Sequence, residues 1–216
     1  MKLSEILAGP GLKHYDVAVT LLSDMCVGSG SGGQEWVDRA FVRDGRRLPY
    51  LPGSHLKGVV RHAAEMLAPL MGERTCHAPR PDSMCPRDED PGFCIVCRIF
   101  GSPRLPSALI FGSLAYGSHG MSGTAKAVPN PDLVGIVRYS VSMDRWRRTA
   151  KEQRLFTTEV VPAGATFAGT LRLTRHLDEN ETLLLRRAFA WVDQLGGGES
   201  TGRGRVTITL TEARRA

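Results

Sequence analysis

The chain has 216 residues, 42% of them hydrophobic, which is long enough and apolar enough to bury a core. Its 28 Lys and Arg outnumber 22 Asp and Glu; a net charge of +6 leaves a phosphate-rich partner and a merely basic enzyme both open. No apolar run approaches the roughly 20 residues of a membrane helix, and the opening MKLSEILAGP lacks a charged n-region and a long apolar h-region, so a soluble, cytoplasmic protein is expected.

Residues 14–22 alternate, placing Tyr15, Val17, Val19 and Leu21 on one face of a strand. The glycine-rich VGSGSGG at 27–33 leads into an irregular stretch ending at Pro52. Pro52-Gly53 forces a turn, Ser54 is placed to cap a helix over 55–68, and Leu56, Val59, Val60, Ala63 and Leu67 fall at helical spacing. Gly58 costs that helix stability but would let another backbone come close. Residues 72–106, rich in Pro, Cys and charge, read as an ordered insertion rather than a core element. SALIFGSLAY at 107–116 predicts one strand, and the Gly, Ser and Pro of 117–137 predict a loop. TFAGTLRLT at 166–174 predicts a strand with Phe167, Leu171 and Leu173 inward. Residues 179–195 predict a helix with Leu184, Ala188, Trp191 and Leu195 on one face, ended by Gly196. RVTITLT at 205–211 closes the chain as a strand, Val206, Ile208 and Leu210 on one side. The order strand, helix, strand, strand, helix, strand predicts an α+β, ferredoxin-like core in a single domain. Three insertions interrupt it, at about 23–53, 72–106 and 117–164. Each exceeds the dozen or so residues of an ordinary loop, which points to function or separate stabilisation.

Two segments suit a phosphodiester backbone. In LPYLPGSHLKGVVR, residues 48–61, Ser54, Lys57 and Arg61 gather near a positive helix end, and a solvated basic face is the other reading. In LGGGESTGRGRV, residues 195–206, Gly197, Gly198 and Ser200 would offer backbone N–H groups while Arg203 and Arg205 offer guanidinium groups. It follows a helix, precedes a strand and lacks GK[ST], so it is not a P-loop; a flexible connector is its alternative. Cys76-x8-Cys85-x8-Cys94-x2-Cys97 places four thiols within 22 residues, a spacing that closes a tetrahedral structural Zn²⁺ site, with His77 able to replace Cys76. Cys26 reads as a buried small hydrophobe, and His55 and His62 as surface residues rather than catalysts.

LPGSHLKG, FGSP at 100–103, LFTTEVVPAG at 155–164 and GGGESTGRGRV together resemble the RAMP superfamily of CRISPR proteins, from about residue 15 to 210. The likeness is greatest to the repeated backbone subunit of type III complexes, the Cas-seven group. The resemblance implies an RRM-like core with a thumb hairpin and a zinc-stabilised lid. It also implies a filament of identical subunits that grips guide (CRISPR) RNA, pairs it with complementary target RNA and contacts other effector subunits. In that family an aspartate in the loop after the first strand supports metal-dependent cleavage of target RNA; WVDRAFVRD places Asp38 there, with Asp44 as second acid and Mg²⁺ or Mn²⁺ as the metal. Arg39-Ala40 departs from the Asn-Pro common at that point, so Asp38 stands equally as a turn residue in a non-catalytic scaffold whose target a partner nuclease cuts. The thumb candidate is 138–154, where Arg138, Arg145, Arg147, Arg148, Lys151 and Arg154 surround Trp146, joining phosphate contacts to a stacking ring; a solvated charged loop is its alternative.

Overall fold

The computed structural model describes residues 13–28, 37–76, 78–85, 92–117 and 135–213. Strand β1 (His14–Leu21) is hydrogen-bonded on both sides, to β7 (Thr166–Leu173) and β8 (Val206–Glu212), so that Val17 faces Gly169 on one flank and Leu210 on the other. Beyond β7 lie β3 (Leu109–Phe111) and β4 (Leu114–Tyr116), and β4 pairs with β2 (Tyr50–Leu51). The main sheet therefore runs β2-β4-β7-β1-β8 with every described pair antiparallel.

Alternation along these strands directs Val17, Val19, Leu21, Phe167, Leu171, Leu173 and Val206 into one buried cluster. Helix α1 (Gly53–Leu67) adds Leu56, Val60, Ala63, Ala64 and Leu67 at helical spacing, and helix α3 (Glu179–Trp191) adds Leu184, Leu185, Ala188 and Phe189. Helix α2 (Ile95–Phe100) joins the same cluster through Ile95, Val96, Ile99 and Phe100. The described part of 72–106 is thus not merely an insertion beside the core, because Ile95, Val96, Ile99 and Phe100 complete it. No described helix is long and apolar enough to cross a membrane.

Local details correct several sequence expectations. Helix α1 begins at Gly53 with Pro52 in the cap position; Ser54 is exposed and makes no capping bond. Gly53 is required because a Cβ there would lie 2.4 Å from the Phe111 carbonyl oxygen, so the helix start is pressed against the β3–β4 turn. A Cβ at Gly58 would meet nothing within 4 Å, so no backbone approaches there. Helix α3 stops at Trp191, which is 62% exposed, and Leu195 is buried from the following loop rather than from the helix. Its start is fixed by a capping box: Asp178 accepts from the Glu181 N–H and Glu181 accepts from the Asp178 N–H. The strand expected over 107–116 breaks at Gly112-Ser113 into β3 and β4.

Strands β5 (Ile136–Asp144) and β6 (Thr149–Val160) form a separate antiparallel hairpin with residues 145–148 at its tip. Most of its side chains are exposed, but its base is built into the protein. Met25 exchanges backbone bonds of 2.9 and 2.8 Å with Val161, and Arg39 donates to the Thr157 oxygen while accepting from the Glu159 N–H. The loop that carries Asp38 is therefore stitched to the hairpin, and buried Phe41 stacks on Phe167 to hold it there.

Candidate nucleic-acid interface and cysteine cluster

The glycine-rich segment after α3 is a tightly bonded structural element. Gly196 and Gly204 have φ of 88° and 76°, and a Cβ would come within 2.4 Å of the Cys26 oxygen at the first and 2.0 Å of the Leu195 oxygen at the second. The Gly196 N–H donates to His55 Nε2, Gly197 to the Cys26 oxygen, Arg203 to the Gly198 oxygen, Gly204 to the Asp24 oxygen and Arg205 to Ser23 Oγ. Those N–H groups are used within the protein and are not offered to a phosphate, as the sequence suggested for Gly197. Neither the Arg203 nor the Arg205 side chain makes an ion pair among the described residues. His55 is half-buried rather than a surface residue; burial lowers its pKa, and Glu199 partly offsets that. Its neutral ring closes the first turn of α1 onto the segment.

The cations divide into paired and unpaired groups. Arg61 is not a free partner of Lys57: it donates to Glu65 at 2.9 Å, to the Gly101 oxygen at 2.9 Å and to Cys97 Sγ at 3.8 Å, tying α1 to α2. Arg138 binds Asp24 Oδ2 at 2.7 and 3.1 Å. Arg175 grips the buried Glu181 at 2.7 and 2.9 Å, Arg98 lies 3.4 Å from the same carboxylate, and Arg43 pairs with Glu159. Among the described residues, Lys57, Arg203 and Arg205 are, like Arg39 and Arg145, cations with no ion pair. Lys57 is partly buried, and burial first, then Arg61, lowers its pKa. At the hairpin tip Arg145, Arg147 and Arg148 are exposed around Trp146, which is 94% exposed, while Asp144 Oδ1 accepts from the Trp146 and Arg147 N–H groups to shape the turn. Gly198, with φ of 88°, and exposed Ser200 lie on the outer turn of the glycine segment.

Asp38 is exposed, and its Oδ2 accepts from the Thr157 N–H at 2.7 Å and Thr157 Oγ1 at 3.1 Å. These bonds hold its carboxyl below the usual carboxylate range, so it is ionised at neutral pH. Asp44 does not join it: Asp44 Oδ1 accepts from the Arg46 and Leu48 N–H groups and closes its own turn. With one oxygen occupied and no second carboxylate gathered, the described residues around Asp38 do not make a donor set for Mg²⁺ or Mn²⁺.

Cys76, Cys85, Cys94 and Cys97 are all buried, and their sulfurs lie within 4.8 Å of one another. The Cys76–Cys97 and Cys76–Cys94 sulfur separations are 3.3 and 3.8 Å. A zinc–sulfur bond of about 2.3 Å makes tetrahedral sulfurs sit about 3.8 Å apart, so this set can hold a metal ion. The crowding splits the thiols, with Cys94 lowered to about 4 chiefly by the bond from Cys97, and Cys97 raised chiefly by Cys94. Cys26 lies outside the group, and His77 lies outside the described residues.

Residues 18–207 match the RAMP superfamily. The chain belongs to that superfamily. Among curated proteins, no sequence matches it significantly. A solved chain titled "Type IV-B CRISPR Complex" is similar with a TM-score of 0.62 and 19% identity, over 94% of this chain and 92% of that one. A second, titled "Type III-B Cmr-beta Cryo-EM structure of the Apo state", has a TM-score of 0.61 and 13% identity, over 91% and 96%. At those identities the likeness shows a shared fold, a mixed α/β arrangement with antiparallel sheets.

Sequence reasoning missed Asp24, His55 and Glu181. Asp178-x-x-Glu181 was a readable capping box. Asp24 and His55 act through main-chain partners far along the chain, which no local pattern announces.

Proposed function

We propose that this RAMP-superfamily chain is a guide-RNA-binding backbone subunit of a CRISPR ribonucleoprotein, repeated along the guide beside other effector subunits. One observation carries the reading. The His55–Gly196 bond draws the first turn of α1 against the glycine segment, so Lys57, Arg203 and Arg205, three cations without acidic partners, belong to two elements held together. Unpaired cations on a rigid scaffold suit phosphates, which position a strand without reading its sequence. The strand order β4-β7-β1-β8, with α1 and α3 as crossovers, supports a ferredoxin-like, RRM-like core. The β5–β6 hairpin, with Trp146 and its arginines at the tip, supports a thumb that stacks on bases of guide or target.

The cysteine set fits a structural Zn²⁺, which Cys76, Cys85, Cys94 and Cys97 would hold as thiolates. Such a closed site supplies folding energy and no open position for chemistry. Arg61, donating to Cys97 Sγ, would help neutralise the extra thiolate charge and fix α1 against α2. Held this way, the cluster secures the 72–106 segment in its place as the proposed lid.

A finer reading gives Asp38 a part in cutting target RNA, by orienting or accepting the proton of an attacking 2′-hydroxyl. The bonds from Thr157 favour the second reading, a non-cutting scaffold, because they already occupy Asp38 Oδ2 and anchor the loop. Asp38→Asn separates the two, since an amide oxygen still accepts from the Thr157 N–H while the negative charge is lost. Assembled complex is incubated with complementary RNA, and binding and fragment formation are measured side by side. The catalytic reading expects wild type to cut and Asp38→Asn to bind equally but cut at least about a hundredfold more slowly. Equal cutting by both removes Asp38 from the chemistry, and no cutting by wild type without an added nuclease leaves the scaffold.

A further inference from the structure

We infer that Arg39 is a further phosphate-gripping arginine beside Arg203 and Arg205, anchoring an RNA strand next to Asp38. The inference rests on the RNA-binding reading above and adds a residue to its interface. Arg39 is exposed, and among the described residues it has neither an ion pair nor a side-chain hydrogen bond. Its backbone is nevertheless fixed on both sides, donating to the Thr157 oxygen at 3.2 Å and accepting from the Glu159 N–H at 2.8 Å, with Phe41 buried two residues on. The fixed backbone leaves only the side chain of Arg39 to be ordered when an anion binds, at a cost of about 0.5–1.5 kcal/mol.

The position of Arg39 relative to Arg203 follows from Cys26. The Cys26 oxygen accepts from Gly197 of the glycine segment, and the next residue, Val27, accepts from Val42 of the Asp38 loop. Cys26 thus lies between the two loops, and both arginines act on its thiol. Burial pushes that thiol up while Arg39 first and then Arg203 pull it down. The acid in the same neighbourhood, Glu159, is committed to Arg43 and to the Phe41 N–H, so it does not neutralise Arg39. Two arginines carried by loops that both bond to the Cys26–Val27 backbone, with the local carboxylate already satisfied, suit the phosphodiester backbone of one strand.

That phosphate belongs to either the guide or its paired strand, and the test distinguishes them. The full chain is titrated with a single-stranded RNA of mixed sequence, alone and annealed to its complement, at several salt concentrations. Arg39→Ala, Arg39→Lys and a control, Arg187→Ala on the exposed side of α3, are compared with wild type. We expect Arg39→Ala to weaken binding about tenfold and to reduce the salt slope by about 0.7, the value for one contact to a single strand. Arg39→Lys should recover the slope but only part of the affinity, and Arg187→Ala should match wild type. A loss seen with the single strand assigns the guide phosphate, and a loss seen only with the annealed RNA assigns the second strand. Arg39→Ala equal to wild type on both RNAs overturns the inference while leaving the Lys57, Arg203 and Arg205 interface standing. If wild type binds neither RNA, both fall.

Discussion

Gly204→Ala should damage the protein far more than Gly202→Ala, although both glycines have φ near the same left-handed value, 76° and 79°. Adopting that conformation with a side chain costs about 1–2 kcal/mol at either position. At Gly202 nothing lies within 4 Å of the added carbon, so that cost is the whole effect. At Gly204 the carbon would lie 2.0 Å from the Leu195 oxygen, so the backbone must move. Moving it breaks the Leu195 N–H bond to the Gly204 oxygen and the Gly204 N–H bond to the Asp24 oxygen, each 2.8 Å long. At about 1 kcal/mol per bond the Gly204 total reaches about 3–4 kcal/mol. For a domain of this size that lowers Tm by about 6–16 °C, against about 2–8 °C for Gly202→Ala. Thermal unfolding followed by far-UV circular dichroism reads both variants under one condition. Because Arg203 and Arg205 flank Gly204, RNA affinity should fall with it even below the melting range. Equal Tm shifts for the two variants would refute the reasoning, since they would mean the segment is not packed on Leu195 and Asp24.

The cysteine cluster should carry one zinc per chain, measured by elemental analysis on protein purified without chelators. Cys94→Ser and Cys97→Ser should lose it and lower Tm for the entire chain, because α2 lies in the main core, while Cys26→Ser should keep the metal; wild type free of zinc would sink this. His55, whose pKa is lowered by burial, binds a proton less readily folded than unfolded. Its contribution is therefore complete above the unfolded histidine value of about 6.5 and is lost as pH falls through that value towards the folded one. Chemical denaturation between about pH 7.5 and 5.5 should show wild-type stability falling more steeply than that of His55→Gln, and parallel curves would contradict the Gly196 clamp.

Strands β1, β7 and β8 and both long helices were legible in the sequence to within a few residues, because Val17-Val19-Leu21 and Leu56-Val60-Ala63 carry clear periods of strand and helix. Strand β2, by contrast, was hidden in an irregular stretch, and β3 and β4 were read as one strand. What hid the role of 72–106 was composition: Ile95, Val96, Ile99 and Phe100 are a single apolar turn among prolines and charges, too short for a periodic signal. The residue pattern alone did not mark the hairpin strands, which only the family resemblance suggested near 138–154, because their side chains are mostly exposed and alternation does not mark a buried face. The cysteine grouping was readable from spacing alone and the structure brings all four sulfurs together. The interface was less readable. Lys57 and Arg61 look equivalent at four residues' spacing, and only the Gly101 oxygen and Cys97 Sγ, 40 and 36 residues later, reveal that Arg61 is committed. The glycine run suggested a main-chain anion nest, and it is instead a packed connection whose N–H groups face Cys26, Asp24 and His55.

The most direct test of the RNA-binding account is the salt dependence of single-stranded RNA affinity for the Lys57→Ala, Arg203→Ala, Arg205→Ala triple variant. Three lost phosphate contacts should flatten the slope of log affinity against log salt by about 2, at about 0.7 per contact, with melting temperature near that of wild type. A triple variant with the wild-type slope and affinity would contradict the account.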